Sequence, residues 1–203
     1  MKLYITLGSP YARLARIVRI EKRLEGRVEI VLAQTRRTNS PYYSVNPSGR
    51  VPYLVRDDGV GMEESGIICR YLDHLDGRPE LDLPADASEW EACRLGALAG
   101  SLLDGLAVWG RELVRPENEQ SPTIIRHEAD RARRMTDLWE TEIDHPVMFG
   151  RLNMVQMTLA CALGLEARNP QLHWRRRQHP KLDAWYDRIA ERPSFAATAP
   201  PPH

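Results

Sequence analysis

An α/β domain followed by an all-helical domain is the fold class this sequence predicts, and three observations carry it. Up to about residue 76, β-branched and aromatic runs alternate with amphipathic helical stretches. Residues 77–88 (GRPELDLPADAS) then interrupt the alternation with two prolines, one glycine and no apolar period. Beyond them every periodic segment has helical spacing. The expected organisation is therefore an α/β domain over 1–77, a linker over 78–88 and a helical domain over 89–203.

Each element has a local cause. Lys2 to Leu7 holds Leu3, Tyr4, Ile5 and Thr6, the content of a strand, and stops at Gly8-Ser9-Pro10. Ser9 suits an N-cap and Pro10 the first helical position; Leu14, Ile17 and Val18 give that helix its apolar stripe, and Gly26 is its expected stop. Arg27 to Leu32 reads as a second strand, parallel to the first because a helix of this length is the usual crossover between parallel strands. Asn46-Pro47-Ser48-Gly49 marks a turn ahead of the strand Val51 to Val55, and Asp57-Asp58-Gly59 is a hairpin signal leading to a short antiparallel strand over Val60 to Met62. Glu63-Glu64-Ser65 places acids and a cap before a helix with the stripe Ile67, Ile68, Tyr71, Leu72 and Leu75. In the second half, helices are expected over Glu89 to Leu113, from Ser121-Pro122 to about Ile143, from the box-like Asn153-x-x-Gln156 through the buried run Met157 to Leu165, and from Pro180 to Arg192 with the stripe Leu182, Trp185, Tyr186 and Ile189. The basic run Trp174 to Arg177 reads as a solvated loop, and the tail from Pro193 as loosely ordered.

Composition narrows the function classes. The 203 residues carry 28 basic and 28 acidic side chains, so no net field advertises nucleic acid or an anionic membrane. Neutrality is a sum of unlike parts, because residues 1–78 hold 13 basic and 9 acidic side chains. No stretch approaches about 18 consecutive apolar residues and the N-terminus lacks a signal-peptide pattern, so a cytoplasmic protein without a membrane is expected. Cys69, Cys93 and Cys161 never form a C-x-x-C pair, which indicates neither a disulfide scaffold nor a thiol redox motif. The histidines show no metal-ligand spacing and there is no phosphate-binding glycine loop, so no metal is expected.

Several fragments together resemble a known family. Ser9-Pro10-Tyr11, Asn46-Pro47-Ser48-Gly49-Arg50-Val51-Pro52, Glu64-Ser65, the helical second half and the closing His179-Pro-Lys-Leu with Trp185-Tyr186 and Arg192-Pro-Ser are similar in order and spacing to a cytosolic glutathione S-transferase of the bacterial serine-or-cysteine type. The resemblance spans nearly the whole chain. It implies a thioredoxin-like N-terminal domain that binds glutathione as cosubstrate, a helical domain that supplies the second substrate's pocket, a role in detoxification and a homodimer.

The resemblance also implies roles. Ser9 would be catalytic, donating a hydrogen bond to the glutathione thiolate; a free thiol titrates near 8.5, and a hydroxyl donor at a helix N-terminus favours the ionised form. By its residues alone Ser9-Pro10 is also an ordinary N-cap, and Tyr4, late in the first strand, is the rival hydroxyl or else a core aromatic. Val51-Pro52 would pair with the cysteinyl backbone of glutathione through a cis proline, whereas an edge-strand proline is the plainer reading of the same residues and the sequence leaves the isomer open. Glu64 would face the γ-glutamyl ammonium, and Ser65 with its backbone N–H the carboxylate, unless both are simply first-turn acid and cap. Thr38 stands where relatives often carry the base for the glycyl carboxylate, leaving Arg37 or Arg50 to serve. Tyr11, Leu106 and Trp109, with Leu103 and Arg111, are the candidates for the second-substrate pocket, apolar spacing being equally that of a core. Asp104, among apolar neighbours, reads as a buried, paired carboxylate or a glutathione contact across the dimer.

The first functional reading is an enzyme that adds glutathione to a small electrophile. A second is a non-catalytic or regulatory protein that keeps the fold as a binding module, and a third is a glutathione-dependent reductase or peroxidase. The absence of a cysteine near position 9 disfavours a mixed-disulfide route for the third.

Overall fold

The computed structural model describes residues 1–82 and 90–201. They fall into two units, 1–82 and 83–203. The expected linker residues 83–88, and Glu89, lie outside the described residues.

The first unit is built on a four-stranded sheet of order β2-β1-β3-β4. β1 (Lys2–Ile5) pairs in parallel with β2 (Glu29–Leu32), and α1 (Pro10–Glu21) is the crossover between them. β3 (Tyr53–Val55) runs antiparallel to β1 and forms a hairpin with β4 (Gly61–Met62), and α2 (Ser65–His74) follows. Alternation along β1 sends Leu3 and Ile5 into one face of the sheet, where both are fully buried with Leu54, the cross-strand partner of Leu3. The stripes of α1 (Leu14, Ile17, Val18) and α2 (Ile68, Leu72) complete this core. Each such side chain contributes about 1.5–3 kcal/mol by leaving water. The hairpin turn follows the sequence signal, with Gly59 at φ 82° and the Arg56 N–H donating to the Val60 carbonyl at 3.0 Å.

Two expectations in this unit are corrected. α1 ends at Glu21 rather than running to Gly26, because Arg23 takes the left-handed conformation (φ 52°) and a Schellman pair closes the helix, Leu24 N–H to Arg19 C=O at 2.8 Å and Arg23 N–H to Ile20 C=O at 2.9 Å. On α2, Ile67 points outward at 56% exposure and Cys69 takes its place beside Ile68 and Leu72. Residues 80–82 are tied back to α2, since the Asp73 carboxylate accepts the N–H groups of Glu80, Leu81 and Asp82 at 2.9–3.0 Å.

The second unit is helical. α3 (Trp90–Leu113) packs against α4 (Pro122–Glu142) and α5 (Met154–Leu163), and α5 is apolar on all sides as befits a central helix. Among the described residues α3 alone is long and apolar enough to match a membrane span by composition, but Leu95, Leu102 and Leu103 are buried in this core. α3 and α4 also share a polar seam, where the Arg131 guanidinium donates to the carbonyl and hydroxyl of Ser101, both at 2.9 Å. Asn153 caps α5 by accepting from Val155 and Gln156, but Gln156 does not close the box; its amide donates to the Val147 carbonyl at 2.7 Å.

α6 (Pro180–Ala190) is capped from another helix. The two carboxylate oxygens of Glu140, on α4, accept the N–H groups of Lys181 and Leu182 at 3.0 and 2.9 Å, and Asp137 one turn earlier lies 2.9 Å from Nε2 of buried His179. Two further expectations fail here. The Trp174 to Arg177 run is not a solvated loop: Trp174 is core, and Arg176 stacks 5.1 Å over its ring and pairs with Asp183 and Asp187. Nor is the tail wholly loose. α7 (Pro193–Ala197) buries Phe195, and the Thr198 hydroxyl donates to the Ser194 carbonyl at 2.7 Å.

Candidate functional site

The residues singled out in the first unit meet at three backbone junctions. At the first, β1 hands over to α1. Ser9 is half-buried with extended φ/ψ, and its Oγ accepts the Ala12 N–H at 3.2 Å, so it is an N-cap as Ser-Pro predicts. A hydroxyl has one proton and two lone pairs, and this bond uses a lone pair. Capping therefore leaves the Ser9 proton available at a helix N-terminus, where backbone N–H groups and the macrodipole favour negative charge. Tyr4 lies on the other face of the sheet from Leu3 and Ile5, with its ring 5.6 Å from that of Tyr42; it is a partly exposed sheet aromatic rather than a core one.

The second junction is the loop into β3. The Val51–Pro52 peptide is cis. The strand begins only at Tyr53, so Pro52 precedes the ladder instead of standing inside it, and β3 is an interior strand between β1 and β4 rather than an edge. Among the described residues the backbone N–H and C=O of Val51 have no partner, which leaves both for an extended ligand. The turn before it depends on Gly49, at φ 67°, where a Cβ would lie 2.7 Å from the Tyr43 ring.

The third junction is the start of α2. Here Glu64, not Ser65, is the N-cap, and it adopts φ 71°, ψ 116°, a backbone region that non-glycine residues rarely occupy. Its Oε1 accepts the Gly66 N–H at 3.4 Å and the Ser65 hydroxyl at 3.3 Å. Ser65 is the first helical residue and is buried. Strained non-glycine backbone of this kind clusters at ligand-binding positions.

A polar network that the sequence reading assigned no role joins the last two junctions. One oxygen of Glu63 accepts from the Asn46 amide at 2.7 Å and from the Ser48 hydroxyl. Those two bonds hold the Glu63 carboxyl below the usual carboxylate range, outweighing the opposing effect of burial, with Arg50 adding to the shift. Asn46 also donates to the Arg50 carbonyl at 3.0 Å, which accepts the Tyr42 hydroxyl at 2.5 Å as well. Burial is the main reason the Tyr42 phenol is pushed up. In the sequence Asn46 looks like a turn residue and Glu63 like a first-turn acid; the contact spans 17 positions, and no local pattern signals it.

The remaining candidates are placed less favourably. Arg37 and Arg50 are both exposed, and Arg37 makes no ion pair among the described residues. In the second unit Leu106 and Trp109 are 1% and 7% exposed, so both are core residues of α3 that offer little surface to a ligand. Tyr11 is half-buried and Arg111 exposed. Asp104 is exposed, contrary to its expected burial, because it lies off the face that α3 turns to α4 and α5. No group of three or more His, Cys, Asp or Glu that could hold a metal exists among the described residues.

A βαβ unit closed by an antiparallel hairpin and a helix, followed by a helical unit, has the architecture of the glutathione S-transferase fold, and the similar proteins agree. A family model described as glutathione S-transferase, N-terminal domain, matches residues 3–80. A glutathione transferase family member from Pseudomonas fluorescens Pf-5, solved with bound S-(propanoic acid)-glutathione, is 31% identical over 99% of this chain and 100% of its own, with a TM-score of 0.83. The same family member solved with bound glutathione is 30% identical over 98% of each chain, with a TM-score of 0.85. Among curated proteins, the GST-like protein YibF of Escherichia coli K12 is 29% identical over 99% of both chains. The chain belongs to the glutathione S-transferase family.

Proposed function

We propose that this protein is a glutathione transferase of the serine type, which holds glutathione as its thiolate for attack on a small electrophile. The observation that carries the reading is Ser9: its hydroxyl accepts the cap bond from Ala12, and its own proton has no acceptor among the described residues. A sulfur at the end of α1 would receive that proton as a hydrogen bond and feel the helix N-terminus, both of which favour the thiolate. Val51 offers a free N–H and C=O for the cysteinyl backbone, and the Glu64-Ser65 junction offers a carboxylate beside helix N–H groups for the γ-glutamyl ammonium and carboxylate. The glutathione and the S-(propanoic acid)-glutathione bound by the relative from Pseudomonas fluorescens support the ligand. In the reaction, the thiolate sulfur forms a bond to the electrophilic carbon; with an aryl halide, the halide leaves with the bonding pair. The same reading makes the protein a cytoplasmic homodimer, with the second substrate held by the helical unit.

Two variants separate cap from catalyst. Ser9→Ala removes both the acceptor and the proton, whereas Ser9→Asp keeps the acceptor and so the cap. Both should lose about 10²–10³ in kcat with an aryl halide, the usual effect of deleting one donor to a developing or resident anion. Glutathione binding by calorimetry should fall far less in Ser9→Ala, and only Ser9→Ala should lose stability. Equal, small losses in turnover and binding would remove Ser9 from the mechanism, and no binding at millimolar glutathione would favour the binding-module reading.

A further inference from the structure

We propose that Glu63 is a positioning residue: it holds the 46–52 loop against the N-terminus of α2 and thereby sets the affinity for glutathione. The proposal rests on the glutathione reading above. Glu63 touches none of the groups assigned to the ligand. Its place between them is the point, because one carboxylate oxygen accepts both the Asn46 amide (2.7 Å) and the Ser48 hydroxyl, while its chain neighbour Glu64 caps α2. The tie is relayed toward the ligand edge on both sides of Arg50. Asn46 donates its amide to the Arg50 carbonyl at 3.0 Å, and Ser48 accepts the Arg50 N–H at 3.2 Å. Arg50 is bonded in the chain to Val51, whose N–H and C=O are the pair offered to the cysteinyl backbone.

The local backbone explains why two adjacent acids do different work. At φ 71°, Glu64 turns the chain sharply between positions 63 and 65, so the Glu63 side chain reaches back to the loop while that of Glu64 lies over Gly66. Without Glu63, nothing else among the described residues bonds both Asn46 and Ser48 to the segment that opens α2. The two halves of the clamp would then hold a flexible tripeptide only after ordering themselves, and that ordering reduces affinity without altering the reacting atoms.

The test compares Glu63→Ala, Glu63→Asp and Glu63→Gln with a control in the same unit, Asp58→Ala, which removes a carboxylate from the hairpin tip. Glu63→Ala should raise the glutathione Kd and KM about tenfold, the effect of losing one or two charge-assisted hydrogen bonds' worth of order, with kcat at saturating glutathione within about twofold. Glu63→Gln still presents Oε1 as an acceptor and should recover to within about threefold, while Glu63→Asp, one methylene short, should resemble Ala. If Glu63→Ala fails to fold, the Gln and Asp contrast decides. Amide hydrogen exchange of Ser48, Gly49 and Arg50 without ligand reads the tie itself, and should quicken about tenfold in Glu63→Ala. An unchanged Kd, a fall in kcat equal to the rise in KM, or a Kd effect matched by Asp58→Ala at equal loss of stability would overturn the proposal. Wild-type protein that binds no glutathione overturns the glutathione reading and the affinity claim with it. Unchanged exchange overturns the tie alone.

Discussion

Replacing Asp73 should destabilise the first unit by several kcal/mol, because one buried carboxylate serves three backbone amides and an ammonium. The Asp73 side chain is 2% exposed and lies 3.3 Å from the Lys22 ammonium, itself 5% exposed, at the C-terminus of α1. It also accepts the N–H groups of Glu80, Leu81 and Asp82. Burial pushes its carboxyl up, but those amides and Lys22 together outweigh burial and hold it below the usual carboxylate range. Asp73→Ala leaves those three amides without their acceptor, while Lys22 keeps Asp76 at 3.0 Å and the Arg78 carbonyl at 2.6 Å, so the expected loss is about 3–5 kcal/mol, at about 1–3 for each group left unsatisfied and exposed in part to water. Asp73→Asn keeps one acceptor oxygen and should lose roughly 1–3 kcal/mol. All five tryptophans lie in the second unit, so the unfolding of the first is best followed by circular dichroism in urea and by exchange of the amides at 80–82. Because the folded carboxyl is depressed, its stabilisation is complete above the ordinary value near 3.9 and disappears as pH falls through the folded one. Wild type and Asp73→Asn should therefore converge below about pH 4. An Asn variant as stable as wild type at neutral pH, or a gap that does not close in acid, would mean that the ionised Asp73 carboxylate does not hold residues 80–82 to α2.

Two other substitutions test local claims. Glu140→Ala removes the cap that α4 supplies to α6 and should destabilise the second unit by about 1–2 kcal/mol in urea unfolding followed by tryptophan fluorescence, with Glu140→Gln recovering part of it. Gly49→Ala meets both the positive φ and the Tyr43 ring, so it should lower stability by about 1–2 kcal/mol and raise KM for glutathione, read by thermal unfolding and steady-state kinetics.

The elements set by local chemistry were legible in the sequence. Ser9-Pro10, Asp57-Asp58-Gly59 and Ser121-Pro122 each encode a cap or turn within four residues, and each forms as expected. What was misread depends on a backbone conformation the residue type does not announce, or on partners in another element. Arg23 ends α1 in a conformation that favours glycine, five residues before the expected stop, and Leu24 is buried as part of that closing motif. Arg176 resembles a solvated cation until Asp183 and Asp187, one helix later, and the rings of Trp174 and Tyr186 are brought to it. At the site, Ser9, Pro52 and Glu64-Ser65 stand out as short motifs, while Glu63 does not, because its role comes from a contact with Asn46 and Ser48 across an intervening hairpin.

Stabilisation of a thiolate by Ser9 is read by titrating bound glutathione through its ultraviolet thiolate absorbance, in wild type and Ser9→Ala at saturating ligand. In the wild type the bound thiol should ionise at least about one pH unit below the free value near 8.5, and in Ser9→Ala it should return most of the way toward that value. A bound thiol that titrates like free glutathione, or identically in the two proteins, would contradict it.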